Sequence, residues 1–595
     1  MAVFSDEEWA ETEKEIPRPT DGLVQKYLEG RAGLAAQEAR QRSDHAFRQA
    51  LSPIARRACG VVERMRAAES ARVWNAGLEE AIAVREAGRV TVHPGMMFGL
   101  AKDAMETTDL WRVARRMPKG ALLHAHNDAM VDMGFLIAEV LATPGMHVAC
   151  ADSDLATAEA RADCAPVFRF LRATPPGAEG MDIWSEDYVP GTFVPAARAA
   201  DTFPGGGGGG SDGGGGGGRA AFEAWLKSRV TISRTDATEQ HHGQDHIWAK
   251  FMRCFQITGS MLHYEPVFRA FLRRVLRLLH DDGVAWAEFR HTWPLDYCRE
   301  GRDRPEEDYM HMFTVIDEEV ARFKEENPSF WGLRMIWSSH RAAPARSMAS
   351  DMVLCVETKR AFPHLVAGYD VVGQEDKGPP LKDLFPILAW FRKLCAEEGV
   401  QIPLFLHAGE TLGDGTDTDG NLFDAVLLGA RRVGHGFSLY KHPLLIELVR
   451  ERRILIESCP ISNEVLRLCS SVLSHPLPAL LARGIPCALS NDDPGMLGHD
   501  TAGATHDFWQ ALQGWDNLGL AGLGSLAENS VRWAAFEDED DATWVKGIKE
   551  ASLGEGIKAK RLKEWAVAWE EFCLWVVTEY GDRYLDDEEA VEAAG

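Results

Sequence analysis

The sequence lacks the features that mark a secreted, membrane-spanning or nucleic-acid-binding protein. Basic side chains are the minority among its 595 residues: 64 Lys and Arg stand against 90 Asp and Glu, a formal net charge of −26. Non-specific nucleic-acid binding and docking on an anionic membrane both require a basic surface, so the charge argues against either partner. No uninterrupted apolar run reaches the length of a membrane span, and no apolar signal segment is visible.

Paired cysteines and glycosylation sites are absent as well. The eleven cysteines form no CxxC pair, and the only N-x-S/T spelling, 327-NPS-329, has proline in the middle. This pattern indicates buried free thiols in a reducing compartment, and we expect a cytoplasmic protein. The remaining composition is ordinary for a globular protein, with 45% hydrophobic and 26% charged residues, and the length predicts two or three domains.

Shifts in composition and pattern predict four segments. They are an N-terminal helical extension that is a candidate dimerisation layer (1–100), a main domain in two parts (101–147 and 248–535), an inserted subdomain (148–247) and C-terminal helices (536–595). The insert contains 205-GGGGGGSDGGGGGG-218, which lacks the lysine and the following helix of a phosphate-binding loop. We expect this tract to be a flexible surface tether.

The main domain alternates helical stretches with short apolar runs that end in polar or glycine-containing corners. The eight runs are ALLHAH (121–126), VAWAEFR (284–290), LRMIWSSH (333–340), VAGYDVVG (366–373), IPLFLHAGE (402–410), RRVGHGF (431–437), ILIESCPISN (454–463) and PCALSNDDPG (486–495). Eight parallel βα units predict an α/β fold, a closed (β/α)8 TIM barrel with an insertion after its first strand. The polar residues end the runs, at the face where such barrels build active sites.

Two histidines at the end of the first run, His124 and His126, are candidate metal ligands. Residues two apart in a strand face the same side, so the two imidazoles could chelate one ion. Taken alone, the H-x-H spacing more often describes polar residues that close a core strand. His407 and Asp492 end later strands at the same barrel face, and three imidazoles with one carboxylate suit Zn²⁺.

The same strand ends carry side chains that can move protons. Zn²⁺ lowers the pKa of a bound water to about 7. Glu410, three residues past His407, can approach a substrate as a proton donor, and His435 can orient or deprotonate the water. Each residue also has a structural explanation, because a strand-terminal histidine can cap a loop and 492-DDPG-495 is a plausible turn.

Six motifs in this order resemble the adenosine deaminase superfamily. They are MPKGALLHAH (117–126), GYDVVGQED (368–376), HAGET (407–411), RVGHGFSL (432–439), ESCPISNEVL (457–466) and SNDDPGM (490–496). With 248-WAKF-251 and 263-HYEPVFR-269, they are most similar to the branch of adenosine deaminase-related growth factors. The resemblance covers about 121–147 and 248–510, and the succession HAGET, HGF, DDP is highly specific.

The resemblance implies a metal centre with one Zn²⁺ per chain. In this superfamily the two histidines of H-x-H, the HAGE histidine and the first DDP aspartate bind the ion. The matching residues here are His124, His126, His407 and Asp492.

The resemblance also implies roles around a purine ring. Glu410 would protonate N1 and make C6 electrophilic, while His435 would align and deprotonate the attacking water. Asp493 would hydrogen-bond N7, and the backbone N–H of Gly373 would meet N3. Zinc-bound hydroxide would then attack C6 and ammonia would leave.

Recognition of the sugar departs from the branch pattern. In small adenosine deaminases an aspartate two residues after the second histidine, here Asp128, meets the ribose 5′-hydroxyl. The growth-factor branch often has its aspartate directly after the second histidine, where Asn127 stands here. Trp248 and His340 match branch positions near the nucleoside, although both could equally be core or loop residues.

The implied function is zinc-dependent hydrolytic deamination of adenosine, and of 2′-deoxyadenosine, to the inosine product and ammonia. An AMP deaminase is the alternative, which Asp128 and the lack of an accompanying Lys/Arg cluster disfavour. A catalytically silent binding or signalling protein is disfavoured by the full set of chemical residues. The P-C-x-x-C motif of the other zinc deaminases is absent.

Two expectations concern the protein outside its site. Secreted branch members carry a leader and a disulfide in the inserted domain, and Cys150 and Cys164 do not reproduce the spacing of that disulfide. We therefore expect a non-secreted member whose partner is a small purine nucleoside or nucleotide, without growth-factor receptor activity.

The N-terminal helices resemble the dimerisation segment of the branch and predict a homodimer. Size-exclusion chromatography with light scattering should give twice the mass of one chain. A mass equal to a single chain at micromolar concentration would contradict this prediction.

Overall fold

The computed structural model describes residues 4–85, 90–151, 155–205, 217–293, 296–500 and 503–585. Its strands are β1 (Gly120–His126), β2 (Met146–Ala149), β3 (Val167–Phe170), β4 (Val194–Pro195), β5 (Val284–Thr292), β6 (Gly332–His340), β7 (Val366–Val372), β8 (Phe405–Ala408), β9 (Arg432–His435), β10 (Leu455–Ser458) and β11 (Cys487–Leu489). Most of the glycine tract predicted as a tether, and the end of the predicted C-terminal segment, lie outside the described residues.

The helices fall into three groups along the chain. Before the barrel are α1 (Asp6–Glu15), α2 (Gly22–Gln41), α3 (His45–Ala50), α4 (Pro53–Val73), α5 (Ala76–Arg85), α6 (Phe98–Met105) and α7 (Asp109–Arg116). Between β1 and β5 are α8 (Met133–Ala142), α9 (Ala158–Asp163), α10 (Ala196–Asp201), α11 (Arg219–Arg229), α12 (Arg234–Thr238), α13 (Gly243–Met261) and α14 (Glu265–Asp281). After β5 are α15 (Met310–Glu326), α16 (Ala345–Ala361), α17 (Leu381–Glu397), α18 (Asn421–Leu427), α19 (Pro443–Glu451), α20 (Pro460–Val465), α21 (Leu477–Ala482), α22 (Gly503–Gly514), α23 (Gly519–Arg532), α24 (Asp541–Glu550) and α25 (Gly556–Tyr584).

Eight of the strands close into a parallel barrel. β1, β5, β6 and β7 pair in that order, and β8, β9, β10 and β11 pair in theirs. A bridge from Tyr369 to Leu404 joins the two halves on one side, and a bridge from Ala125 to Asp492 joins them on the other. The predicted (β/α)8 barrel is therefore confirmed.

The last four barrel strands are shorter than the apolar runs from which they were predicted. Gly409, His435 and Asp492 have φ angles of 78°, 60° and 59°, which lie in the left-handed region and end the pleated ladder. Pro460 stands in the first turn of α20, so the residues PISN of the run 454–463 begin that helix instead of extending β10. The chain thus leaves the sheet at the residues that carry the predicted chemistry.

Helical spacing explains how the outer layer covers the barrel. α14 starts with Pro266 in its first turn and buries Phe268, Phe271, Leu272 and Val275 along one face. At the other end of the fold, α4 packs against the long C-terminal helix α25. α1 and α2 precede this layer, and none of their side chains is buried in the isolated chain.

The segment after β1 carries its own antiparallel sheet in the order β3-β2-β4. β2 straddles the boundary predicted at residue 148, and α13 straddles the one at residue 248, because each element continues without a break across that position. The sulfur atoms of Cys150 and Cys164 lie 2.6 Å apart. Their spacing along the sequence had given no reason to expect this approach, which α9 and the sheet produce by folding the chain back. The four-segment division stays a prediction.

Among the described residues, no helix is long and apolar enough to cross a lipid bilayer.

Candidate active site

Four predicted metal ligands meet at the carboxyl end of the barrel. One ligand atom from each of His124, His126, His407 and Asp492 lies within 4.8 Å of every other. Oδ1 of Asp492 is 3.3 Å from Nε2 of His124 and 3.3 Å from Nε2 of His126. β1 directs both of its histidines to this point because they are two residues apart.

The chemistry of this donor set fits a zinc ion. Nε2 of His124 and Oδ1 of Asp492 are buried and have no hydrogen-bond partner among the described residues. Buried polar atoms without partners are rare in folded proteins, and such a pair at a convergence of three imidazoles fits a site that holds a cation. Three nitrogen ligands and one carboxylate oxygen are a common catalytic Zn²⁺ set.

Two buried carboxylates hold the ligand rings in orientation. Oε2 of Glu457 lies 2.8 Å from Nδ1 of His124, and Oδ2 of Asp370 lies 2.7 Å from Nδ1 of His407. Each carboxylate accepts a hydrogen bond from the Nδ1–H of its histidine. The lone pair of Nε2 is therefore directed at the metal pocket. Asp370 also accepts the backbone N–H of His407 at 2.9 Å, so ring and backbone are fixed together.

These carboxylates belong to a chain of fully buried charges inside the barrel, which we call the interior ion chain. It runs from Glu288 through Arg432, Glu457 and Arg290 to Asp370. Nη2 of Arg290 is 2.6 Å from Glu457, and Nε of Arg290 is 2.7 Å from Asp370.

The interior ion chain keeps its acids ionised. Burial opposes ionisation of Glu457, but Arg290 and Arg432 hold its pKa well below the usual range. Burial likewise opposes ionisation of Asp370, whose pKa is lowered by His407 and Arg290. The acceptors behind the ligand rings are therefore carboxylates at neutral pH.

Glu410 is placed as an acid. Glu375 accepts the backbone N–H groups of Gly409 and Glu410 at 3.2 and 2.9 Å, and Nδ2 of Asn421 holds Glu375 in turn at 2.6 Å. Burial, together with Asp492 and Glu375, raises the pKa of Glu410 well above its ordinary value. The raised pKa favours the protonated carboxyl, and Oε1 of Glu410 has no hydrogen-bond partner among the described residues.

The neighbouring groups have complementary protonation states. Burial lowers the pKa of His435 well below its usual value, so the ring is neutral. Burial opposes ionisation of Asp492, but His124 and His126 hold its pKa well below the usual range. Burial and the adjacent Asp492 raise the pKa of Asp493, which favours the protonated form of this second aspartate, a hydrogen-bond donor.

A cavity of about 480 Å³ opens over this cluster, a size suited to a small organic ligand. Trp248, Phe251 and Phe255 of α13 form an apolar wall, and Gly373 and His340 line another side. A Cβ atom at Gly373 would lie 2.7 Å from Nε2 of His340, so only glycine leaves its backbone open at a φ of 103°.

Two aspartate–histidine pairs line the part of the cavity beside Asp128. Oδ1 of Asp128 is 2.7 Å from Nδ1 of His291, and Oδ2 of Asp296 is 2.7 Å from Nδ1 of His263. Burial opposes ionisation of Asp128, but His291 lowers the pKa of this carboxyl. Arg290 is the only Lys or Arg of the cavity lining in the described part of the chain, and it is committed to the interior ion chain.

All residues predicted for the site are brought together, and their individual roles stay predictions. Those that line the cavity are His126, Asp128, Trp248, His340, Gly373, His407, Glu410, His435, Asp492 and Asp493. His124 lies beneath them, fully buried within the ligand cluster.

The sequence reasoning missed Glu457, Asp370, Glu375 and His291. A usable signal existed for the first two, because a lone acid inside the buried runs ILIES and GYDVV requires a partner. Glu375 lies in a loop, and the pairing of His291 with Asp128 joins β5 to the turn that follows β1, so no local pattern marks either.

A closed (β/α)8 barrel with three histidines and an aspartate at its carboxyl face defines the class of metal-dependent barrel hydrolases. Residues 230–551 match the family described as "Adenosine deaminase". "Adenosine deaminase 2" of Homo sapiens is 31% identical over 468 residues, which cover 78% of this chain and 83% of that protein. "Adenosine deaminase" of Phlebotomus duboscqi is 30% identical over 490 residues, 82% of each chain. A solved adenine deaminase from Arthrobacter aurescens is 17% identical, covering 76% of this chain and 99% of that one with a TM-score of 0.44.

The chain belongs to the adenosine deaminase family, and the resemblance to its growth-factor branch is confirmed.

Gly434 provides a test of the metal centre, because a Cβ atom there would lie 2.6 Å from Cε1 of His124. We expect Gly434→Ala to displace this ring and weaken zinc affinity about 10–100-fold, as loss of ligand support does elsewhere. Competition with a zinc chelator measures the change. Gly60→Ala is the control, since a Cβ at Gly60 meets nothing within 4 Å. Equal affinity in both variants would contradict the assigned ligand set.

Proposed function

We propose that the protein catalyses hydrolytic deamination of adenosine, and of 2′-deoxyadenosine, giving the 6-oxopurine nucleoside and ammonia. The proposal is supported above all by Glu410, which faces the same cavity as the ligand cluster. Its buried carboxyl has a raised pKa, and its Oε1 has no hydrogen-bond partner among the described residues. An acid of this kind activates a ring nitrogen, and the ligand cluster supplies the means to activate water.

The chain's own groups match the edge of a purine. Glu410 is proposed to protonate N1, which draws electrons from C6. Asp493, whose pKa is raised by burial and by Asp492, is proposed to donate a hydrogen bond to N7 in its protonated form; its Oδ1 has no partner among the described residues. The backbone N–H of Gly373 is proposed to meet N3, in the space that the missing Cβ leaves open.

One Zn²⁺ per chain, held by His124, His126, His407 and Asp492, would lower the pKa of a water to about 7 and supply the nucleophile. His435 aligns the attacking oxygen toward C6. The C–N bond at C6 then breaks, and the amino group leaves as ammonia with the proton that the C6 hydroxyl gives up on becoming the carbonyl. The apolar wall of α13 excludes bulk water while this occurs.

The part of the cavity beside Asp128, where we place the sugar and which we call the sugar end, favours a nucleoside over a nucleotide. Asp128 and Asp296 present carboxylates there, and the two histidines that face them are already paired. A 5′-phosphate would meet like charge without a free cation, whereas a 5′-hydroxyl can donate to Asp128. This supports adenosine rather than the AMP alternative.

The cytoplasmic location, inferred from the scattered cysteines, and the homodimer stay predictions that accompany this proposal.

Replacing the acid tests the mechanism. Glu410→Gln keeps the shape of the side chain but removes the proton, so we expect kcat for adenosine to fall about 10²–10⁴-fold with zinc content retained. Glu464→Gln is the matched control, because Glu464 is a buried carboxyl with a pKa raised to about 8 and no place in the cavity. Its activity should stay within about twofold, and unchanged turnover in Glu410→Gln would overturn the assignment.

A comparison of substrates tests the proposed selectivity. We expect kcat/KM for AMP to be about 100-fold or more below that for adenosine, because the phosphate is repelled at the sugar end. We expect Asp128→Asn to lower kcat/KM for adenosine and to leave kcat/KM for AMP unchanged, so that the difference between the two substrates becomes smaller. A preference of the unaltered protein for AMP would reject the nucleoside in favour of the nucleotide.

A further inference from the structure

A line of hydrogen bonds connects the metal pocket to one backbone N–H group. Nδ1 of the buried His435 lies 3.1 Å from Nδ2 of Asn463, which is also fully buried. Oδ1 of Asn463 lies 3.0 Å from Nε2 of His475. The backbone N–H of Leu477, the first residue of α21, donates to Nδ1 of His475 at 3.1 Å. We call these four residues the histidine relay.

The backbone N–H sets the direction of every bond in the histidine relay. Because it can only donate, Nδ1 of His475 must accept, and the proton of the neutral ring is on Nε2. That proton is donated to Oδ1 of Asn463, which leaves the amide N–H of Asn463 directed at His435. Nδ1 of His435 therefore accepts, and the proton of its neutral ring is on Nε2.

The surroundings prevent the relay from reversing. Burial lowers the pKa of His475 to about 3, so this ring has only one proton to place. The His475 ring packs against Phe437 and Trp515, with centroids 5.4 and 5.9 Å away. A turned amide at Asn463 would set two donors facing each other at His475. Oε1 of Glu410 lies 3.6 Å from Nδ1 of His435, beyond hydrogen-bond reach.

We propose that Asn463 and His475 are positioning residues that hold His435 with its proton on Nε2, the nitrogen facing the metal pocket. Nε2 of His435 lies 3.9 Å from Oδ2 of Asp492, and the ring centroids of His124 and His407 are 4.7 and 5.2 Å from its own. The ring thus meets the attacking oxygen as a hydrogen-bond donor. This role rests on the proposed function. It keeps the sequence-based role of His435 in aligning the water, but not the role of deprotonating it.

Asn463→Asp reverses the relay without changing its shape. A carboxylate only accepts, so it still receives the proton of His475 but now requires a proton on Nδ1 of His435. We expect kcat for adenosine to fall about 10²–10⁴-fold, as when a catalytic imidazole is held in the wrong tautomer, and KM to stay within about threefold. Asn529→Asp is the control: it also introduces a carboxylate at a partly buried asparagine, but far from the cavity, and should retain kcat.

The donor on His475 provides a second test. Glutamine at this position keeps an N–H for Asn463, whereas leucine removes it. We therefore expect His475→Gln to retain kcat within about fivefold and His475→Leu to lose more than tenfold at similar thermal stability. Equal loss in both would show that the residue acts only through packing.

The tautomer itself can be measured without turnover. Ring ¹⁵N chemical shifts of histidine-labelled, zinc-loaded protein distinguish protonated from bare nitrogens, and the His435 signals are those lost in His435→Asn. We expect the proton on Nε2 in the unaltered protein and on Nδ1 in Asn463→Asp. A proton on Nδ1 in the unaltered protein would overturn the relay. Absence of deamination would count against the proposed function alone, since the shifts would still decide the tautomer.

Discussion

The interior ion chain is the constraint on which the site depends. Glu288, Arg432, Glu457, Arg290 and Asp370 are all fully buried and connected in series. Removing one partner of a buried ion pair typically costs about 3–5 kcal/mol, because the other charge is left without compensation. The barrel can bury these groups only if strands β5, β7, β9 and β10 keep one register, since each contributes a member. The same register sets the positions of the ligand rings.

The charges of this region also explain why a divalent cation belongs there. The interior ion chain contains three acids, and Asp492 of the ligand cluster is a fourth. Only two guanidinium groups, those of Arg290 and Arg432, balance these four carboxylates. The imidazole ligands bind metal in the neutral form. Among the named groups the carboxylates outnumber the guanidinium groups by two, and the buried side chain of Glu375 lies beside the same cluster. A bound dication would offset this excess of acidic groups. We therefore expect zinc binding to be coupled to the folding of the barrel interior.

Sequence reasoning reached the residues that end strands and stopped at those that act through another residue. The eight apolar runs, with His124, His407 and Asp492 at their ends, predict both the barrel and its ligands, because strand parity and barrel topology are periodic properties. Asn463 and His475 gave no such signal, since their importance depends on contacts with His435 that exist only in the folded chain. The approach of Cys150 to Cys164 was missed because α9 and the antiparallel sheet produce it, and spacing along the sequence does not encode that packing.

We propose that the interior ion chain presents three imidazoles and one carboxylate to a single zinc ion. Anomalous diffraction from crystals of the purified protein, recorded on both sides of the zinc absorption edge, would locate the ion. We expect one peak per chain, bounded by His124, His126, His407 and Asp492. Zinc-replete crystals with no peak at this point, or with zinc bound only elsewhere, would contradict it.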